Sequence, residues 1–281
     1  MPDLLSRVQN PIGGVTTVGY EPSSTWTNLN LPFVLQTVLT VTQDNGQGTA
    51  GTTVFNYGGG MWHAGERRFL GFQTAFAERP ESWGTARPRV YYDFVASLAS
   101  AGKPWRIRYL AGSSDQTALL KEEREGYDER NVAPYYSRNN ASETDIVLGG
   151  SRKTTRTERA FDPYGNVIEL RELGDRDRGG DERFKTQGFA YNTSSYIVSL
   201  PAYEKLFGAG GTSSTALRQT LYQYDGADSY TVAPTKGDLT AEQRRLDVPA
   251  AQWVTWTYGY DGLGQPDAGG RSAGEPDGDG L

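Results

Sequence analysis

The sequence predicts an all-β chain, an antiparallel ribbon of strands and turns, and three observations carry that prediction. Short stretches alternate apolar and polar residues with a period of two, the signature of a strand with one covered face. The chain holds 35 glycines and 14 prolines, and 12% of its residues are aromatic, a supply that turns and strands consume and helices do not. Clusters of Asp, Asn and Gly separate the alternating stretches where a chain must reverse.

The first strong pattern covers residues 31–42, where Phe33, Leu35, Leu39 and Val41 alternate against Val34, Gln36, Val38, Thr40 and Thr42. It breaks at Asp44-Asn45-Gly46-Gln47-Gly48, and β-prone residues resume over 52–57, which reads as a long-looped hairpin. Gly58-Gly59-Gly60 then punctuates, and 66–78 places Leu70, Phe72 and Phe76 on one face of another strand. Residues 105–110 and 118–124 read as a second hairpin around Ala111-Gly112-Ser113-Ser114-Asp115, with Pro104 just before its first strand. Strands over 154–161 and 167–173 flank Asp162-Pro163-Tyr164-Gly165-Asn166, where Pro163 presets φ and Gly165 or Asn166 supplies a left-handed residue. Residues 253–260 set Val254, Trp256, Tyr258 and Tyr260 against Thr255 and Thr257 before Asp261-Gly262-Leu263-Gly264 turns the chain. Helical signals are confined to 91–101 and to a capping box formed by Thr240 and Gln243, and neither alters the fold class. The polar stretch 173–183 reads as a solvent-exposed loop, and 265–281, nearly devoid of apolar residues, as a disordered tail.

Composition bounds the function. With 281 residues the chain can build one large all-β domain or two smaller ones. Its net charge of −6 supplies no basic field for phosphates, so nucleic acid is not an expected partner. With no cysteine there is no disulfide and no thiolate zinc site, a pattern that fits the cytoplasm or a bacterial secreted protein equally. Residues 1–9 lack a charged segment followed by an apolar one, and nowhere do 18 apolar residues run together, so neither a signal peptide nor a membrane span is visible.

Chemistry-bearing motifs are sparse. The single histidine, His63, follows Trp62 without a second His or any Cys to complete a transition-metal shell, and reads as a surface or packing residue. No nucleophile-elbow, Walker or dinucleotide-binding pattern occurs, and the glycine triplet lacks the Lys and helix that phosphate binding needs. A carboxylate pair for glycoside hydrolysis is a relation in space that sequence does not display, and the acids read as solvated surface. Asp175-Arg176-Asp177-Arg178-Gly179-Gly180-Asp181 resembles the opening of a calcium loop, but it lacks the closing Glu and its arginines offset the acids. Trp26, Trp62, Trp83 and Trp105, if exposed, would form a stacking platform for carbohydrate or another surface; the commoner fate of tryptophan is packing. The sequence therefore assigns no catalytic, cofactor-binding or metal-binding residue, no cofactor and no enzymatic activity.

The turn units say more together than singly. Phe161-Asp162-Pro163-Tyr164-Gly165-Asn166-Val167, Tyr224-Asp225-Gly226 and Tyr260-Asp261-Gly262-Leu263-Gly264 each join a strand-end aromatic to Asp and Gly at irregular intervals. This resembles the Rhs/YD-repeat family. Three longer segments narrow the likeness to the repeat region of insecticidal toxin-complex B components and related plasmid-virulence proteins: Asn10 to Thr17 with Tyr20 to Ser24, Phe55 to Gly60 leading to Glu66 to Phe72, and Gly188 to Pro201. The resemblance runs over most of residues 7–264. It implies a curved antiparallel β-sheet ribbon that spirals into a hollow shell around a toxic C-terminal polypeptide, so that 1–264 is a Rhs/YD-repeat β-shell segment and 265–281 a tail. It also implies a non-enzymatic role, a secreted or extracellular location, and the rest of the shell and its payload polypeptide as partners. Family shells use many hundreds of residues, so this chain reads as a fragment, a wall segment with exposed edges. The alternative is an extracellular carbohydrate- or surface-binding β module that uses exposed aromatics.

Overall fold

The computed structural model describes residues 3–80, 87–112, 119–246, 252–262, 264–266 and 272–273. The chain is all-β and antiparallel, and it divides into two compact units, Met1–Thr154 and Thr155–Leu281. The first holds β1 (Arg7–Gln9), β2 (Val15–Pro22), β3 (Gln36–Asp44), β4 (Ala50–His63), β5 (Arg68–Glu78), β6 (Arg89–Phe94), β7 (Pro104–Leu110), β8 (Leu119–Arg130) and β9 (Tyr136–Leu148), each antiparallel to the next. From Thr155 on, the second holds β10 (Ser151–Phe161), β11 (Val167–Asp175), β12 (Arg183–Asn192), β13 (Ile197–Phe207), β14 (Arg218–Tyr224), β15 (Leu239–Arg245), β16 (Trp253–Thr257) and β17 (Ser272–Ala273), paired in the same way.

Each unit is a meander in which strands pack substantially only on their sequence neighbours. Among the described residues only eleven apolar side chains are buried, Leu70, Val90, Leu110 and Leu119 in the first unit and Ala190, Ala202, Phe207, Leu221, Tyr224, Pro234 and Ala241 in the second. Cross-strand pairs and ladder hydrogen bonds therefore carry stability that a two-layer fold would draw from its interior.

The strands expected from alternation lie within or across β4, β5, β7, β8, β10, β11 and β16, but the first begins later than predicted. Residues 31–35 are not strand: the Ser23 N–H donates to the Leu35 carbonyl at 2.6 Å and the Leu35 N–H to Ser23 Oγ at 2.9 Å. Pro32 and a left-handed Asn30 (φ 98) are the local reasons. This connector fills a place in the sheet. β3 accompanies β4 only along Ala50 to Val54, and beyond that residues 27–30 take over: Gly59 N–H donates to Thr27 O at 2.8 Å, Leu29 N–H to Gly60 O at 2.9 Å, and Trp62 N–H to Asn30 Oδ1 at 3.2 Å. The glycine triplet is where β4 exchanges partners. Gly59 adopts φ 67, and a Cβ on Gly60 would collide with Asn28 Oδ1, whose amide is held by the carbonyls of Ser23 (2.8 Å) and Trp26 (3.1 Å).

Both helical readings are overturned. Residues 89–94 form β6, because Tyr91 and Asp93 take ladder positions opposite Arg108 and Arg106 and Val90 is buried. Thr240 and Gln243 lie in β15, where the Thr240 hydroxyl serves a neighbouring turn, accepting from Gly226 N–H at 2.9 Å and donating to Gln223 O at 3.3 Å. The loop expected over 173–183 is shorter, since β11 extends to Asp175 and β12 begins at Arg183. Most of the tail expected over 265–281 lies outside the described residues; within it, Pro266 bridges to Tyr260 and β17 lies against β16.

Gly60→Ala should lower the stability of the first unit by about 1–3 kcal/mol, the cost of forcing a methyl into a fixed contact. Urea unfolding followed by tryptophan fluorescence reads this; an unchanged midpoint would show that the junction yields freely.

Candidate functional site

His63, at the end of β4, accepts a hydrogen bond at Nδ1 from the Glu66 N–H at 3.0 Å and so closes the β4–β5 turn. In the loop after β11, Asp175 is buried and accepts from Asp177 N–H at 3.2 Å, while Asp181 Oδ2 accepts from Asp175 N–H at 3.1 Å. These carboxylates are occupied in building the turn, and among the described residues no group of three or more His, Asp and Glu converges as a metal site would require. Of the four tryptophans singled out, Trp83 lies outside the described residues. Trp26 donates from Nε1 to Thr37 Oγ1 at 2.8 Å and meets Tyr57 edge-on, and Trp62 meets Phe33 edge-on. Trp105 is exposed, with the Arg106 guanidinium 6.0 Å from its ring centre. Of the three described, only Trp105 is exposed.

What the sequence marked only as turn punctuation is the most elaborate chemistry of the chain. In the β10–β11 turn, Asp162 Oδ1 accepts from the N–H groups of Tyr164 (2.9 Å) and Asn166 (2.8 Å), and Gly165 supplies the left-handed residue with φ 95. Its Oδ2 accepts from Asn166 Nδ2 at 2.7 Å and from the Tyr191 hydroxyl at 2.6 Å. Asn166 Nδ2 also donates to Val198 O at 2.6 Å, so this turn is stitched to the β12–β13 ribbon. Burial would raise the Asp162 carboxyl, but these donors outweigh it and hold it below the usual carboxylate range. Burial and the bond to Asp162 push the Tyr191 phenol up to about 12.

Asp225 goes further. Its carboxylate accepts from the backbone N–H groups of Thr235 (2.6 Å), Lys236 (2.9 Å), Gly237 (3.0 Å) and Asp238 (2.9 Å), closing the loop between β14 and β15. Against the effect of burial, those four donors hold its carboxyl at about 2. Asp261 repeats the scheme in brief, accepting from Gln265 N–H at 2.8 Å. In all three units the Asp is a clamp that satisfies backbone donors the reversing chain would leave unpaired.

The aromatic member ties strand to strand. Tyr224 donates to Pro201 O at 2.8 Å and Tyr260 to Leu239 O at 3.0 Å. Outside the marked units, Tyr127 does the same to Pro104 O at 2.7 Å and Tyr57 to Val38 O at 3.1 Å. Phe161 cannot make such a bond, and in that unit Tyr191 supplies the hydroxyl.

Sequence reasoning did not find the charge network on one face of β6–β9. Arg106 and Arg108 of β7 stand opposite Arg124 and Glu122 of β8, which stand opposite Glu143 and Asp145 of β9. Arg108 pairs with Asp93 at 3.3 Å, and Arg106 with Glu122 at 3.4 Å. Arg124 bonds Glu122 and Glu143 and lies 2.9 Å from Asp145, which is fully buried and also accepts from Thr154 Oγ1 at 2.6 Å. Burial disfavours the charge on Asp145, yet Thr154 and the arginines keep its carboxyl below its ordinary value. Four acids and four arginines, with Arg152 as the outermost, neutralise one another, so this face presents matched charge. The sequence signal was present as the unbroken charged run 121–125 and as Glu143 and Asp145 two residues apart, but pairing register is needed to read it.

The structure thus defines a class, an antiparallel strand–turn ribbon with carboxylate-clamped turns. Comparison with known proteins extends the assignment: residues 1–90 match the family model of the insecticide toxin TcdB middle/N-terminal region. Two of the three segments that carried the resemblance, those within residues 10–24 and 55–72, lie inside that match. No curated protein matches the chain. Among solved structures, TcdB2-TccC3-TEV is similar with a TM-score of 0.69 at 11% identity, over 94% of this chain and 21% of that one. TcdB2-TccC3 without its hypervariable C-terminal region gives a TM-score of 0.69 at 12% identity over 94% and 21%. A Photorhabdus luminescens Tc holotoxin pore gives 0.65 at 11% identity over 86% and 18%. The chain spans about a fifth of the length of those chains. At these identities the likeness is one of fold. The resemblance to the repeat region of toxin-complex B components therefore stands on the family match for the first 90 residues and on shared fold for the described remainder.

Asp225→Ala should destabilise the second unit by about 1.5–3 kcal/mol, the range for losing charged hydrogen bonds. The clamp is fully engaged above the unfolded aspartate range near pH 3.9 and is lost as pH falls through about 2. Asp225→Asn should accordingly flatten the acid limb of a stability–pH curve between those values, and an unchanged limb would remove Asp225 as its cause. In the first unit, Arg124→Ala should cost about 3–5 kcal/mol, because it takes from the fully buried Asp145, and from Glu122 and Glu143, the cation they share, whereas Arg152→Ala, at the exposed end of the network, should cost under about 1 kcal/mol; equal costs in denaturant titrations would contradict this hierarchy.

Proposed function

We infer that this chain is a non-enzymatic wall segment of a toxin-complex-type β-shell, whose assembled form encloses a toxic polypeptide and is secreted. The observation that carries this reading is the likeness of its fold, over 94% of its length, to part of TcdB2-TccC3 assemblies, joined to the TcdB match of residues 1–90. The chemistry agrees. Of the carboxylates considered above as metal-binding candidates, Asp175 and Asp181 accept hydrogen bonds that build their own turn, and clamped turns such as those at Asp162 and Asp225 suit a wall whose rims must hold shape. The partners on this reading are the remaining shell and a payload, by analogy with the TccC3 present in the similar structures. Among the described residues no helix is long and apolar enough to cross a membrane.

The test uses the complete gene product with the sequence that flanks this chain. Limited proteolysis should leave a C-terminal polypeptide protected in the intact assembly, and Asp162→Ala with Asp225→Ala should speed its digestion. A polypeptide cut equally fast in intact and clamp-deficient forms, or the absence of any flanking repeat, would sink the reading.

A further inference from the structure

A groove in the second unit has a construction that the wall role does not require. The loop between β14 and β15 returns over the β12–β13 ribbon and is fastened at several points. Asp225 holds residues 235–238, Asn192 Nδ2 donates to Pro234 O at 2.8 Å, and Pro234 is fully buried. Tyr230, in mid-loop, meets Tyr203 edge-on with ring centres 6.2 Å apart at 82°. Between loop and ribbon lies an open groove of about 320 Å³, lined chiefly by Phe189, Tyr191, Tyr203, Tyr230 and Thr231 with Gly188 at its floor. Gly188 is required there, because a Cβ would run into the Tyr203 ring.

Three features select the occupant. The lining side chains carry no charge, and the Lys205 ammonium is occupied 5.3 Å from the centre of the Tyr203 ring, so the groove offers no ion pair and suits an electrically neutral ligand. The phenol hydroxyls of Tyr203 and Tyr230 make no hydrogen bond with any described residue, whereas those of Tyr191 and Tyr224 are engaged, so the groove offers two uncommitted groups that both donate and accept. Its walls are aromatic rings held by a fastened loop, and its size suits one small ring rather than a folded partner. We propose that this groove between Tyr203 and Tyr230 is a saccharide-binding site that takes one neutral sugar ring of a glycan. An aliphatic peptide side chain would leave both hydroxyls without a partner, which disfavours it.

The full chain, titrated by calorimetry with maltohexaose, cellohexaose and chitohexaose in turn, should bind at least one with a Kd near or below about 1 mM. Tyr230→Phe, which keeps the ring and the loop, should weaken that binding by about 3- to 10-fold through loss of one hydrogen bond. Tyr230→Ala should weaken it by about tenfold or more through loss of the wall. Hydrogen exchange should slow on sugar binding at 188–191 and 230–233, a readout that a merely structural role of Tyr230 would not move. Absence of saturable binding by all three sugars overturns the proposal. So does binding that both variants leave unchanged, or protection of the groove by a neutral apolar peptide and by no sugar. Enclosure of a polypeptide by the assembled shell is tested separately and does not depend on this outcome.

Discussion

The constraint on which the rest of this structure depends is the need to satisfy backbone polar groups in ribbons that have almost no interior. A two-layer fold hides its turns at the ends of a core and lets apolar burial carry the stability. Here eleven buried apolar residues, among those described, are spread over two units, and the sheet must hold through its own ladder and its reversals. Antiparallel pairing solves the ladder. The reversals are solved by carboxylates, which accept backbone N–H groups that would otherwise lack partners, from Gln265 alone at Asp261 to four residues at Asp225. This explains why an aromatic, an Asp and a Gly recur together: the ring ties a strand to its neighbour, the acid collects donors, and the glycine takes the backbone through positive φ.

The same constraint accounts for the junction in β4. A 14-residue strand cannot be covered along its whole length by a nine-residue β3, so an edge would stand open beyond Val54. Residues 27–30 close it, and Gly60 makes room for them, since a Cβ there would collide with Asn28 Oδ1, whereas a Cβ on Gly58 or Gly59 would run into Thr74 or Gln73 of β5. A segment that looks like loop punctuation is in fact a point of close backbone approach.

Much of the fold was legible because period-two alternation and Asp–Gly turns are local signals. Strands around Phe55, Phe72, Ile107 and Val254 and the turn at Asp162 are where the residues said they would be. What escaped was non-local. β9, with Ser137, Arg138, Asn139, Asn140 and Asp145, has no apolar alternation, and it is a strand because β8 pairs with it over ten positions and gives its charges partners. Tyr91 and Thr240 were read with helical periods because short windows cannot see that a neighbouring strand claims them. The groove at Tyr203 was invisible for the same reason: Tyr191 and Tyr230 are 39 residues apart and meet only through a loop that folds back.

The stitching of these turns has a consequence for where the protein can work. The clamps Asp162 and Asp225 accept their full set of hydrogen bonds, at both oxygens, only when ionised, and their donors shift ionisation toward stronger acid. The tyrosines that bind Val38, Pro104 and Pro201 donate only when neutral, and burial shifts their deprotonation toward stronger base. Aspartate stabilisation fades only on descent below the unfolded carboxylate range, and tyrosine stabilisation only on ascent above the unfolded phenol range. Across the wide interval between, the seams keep a single charge state. A body crossing from a neutral fluid into a mildly acidic compartment would carry these joints through unaltered, so a trigger sensitive to that crossing must sit in other groups.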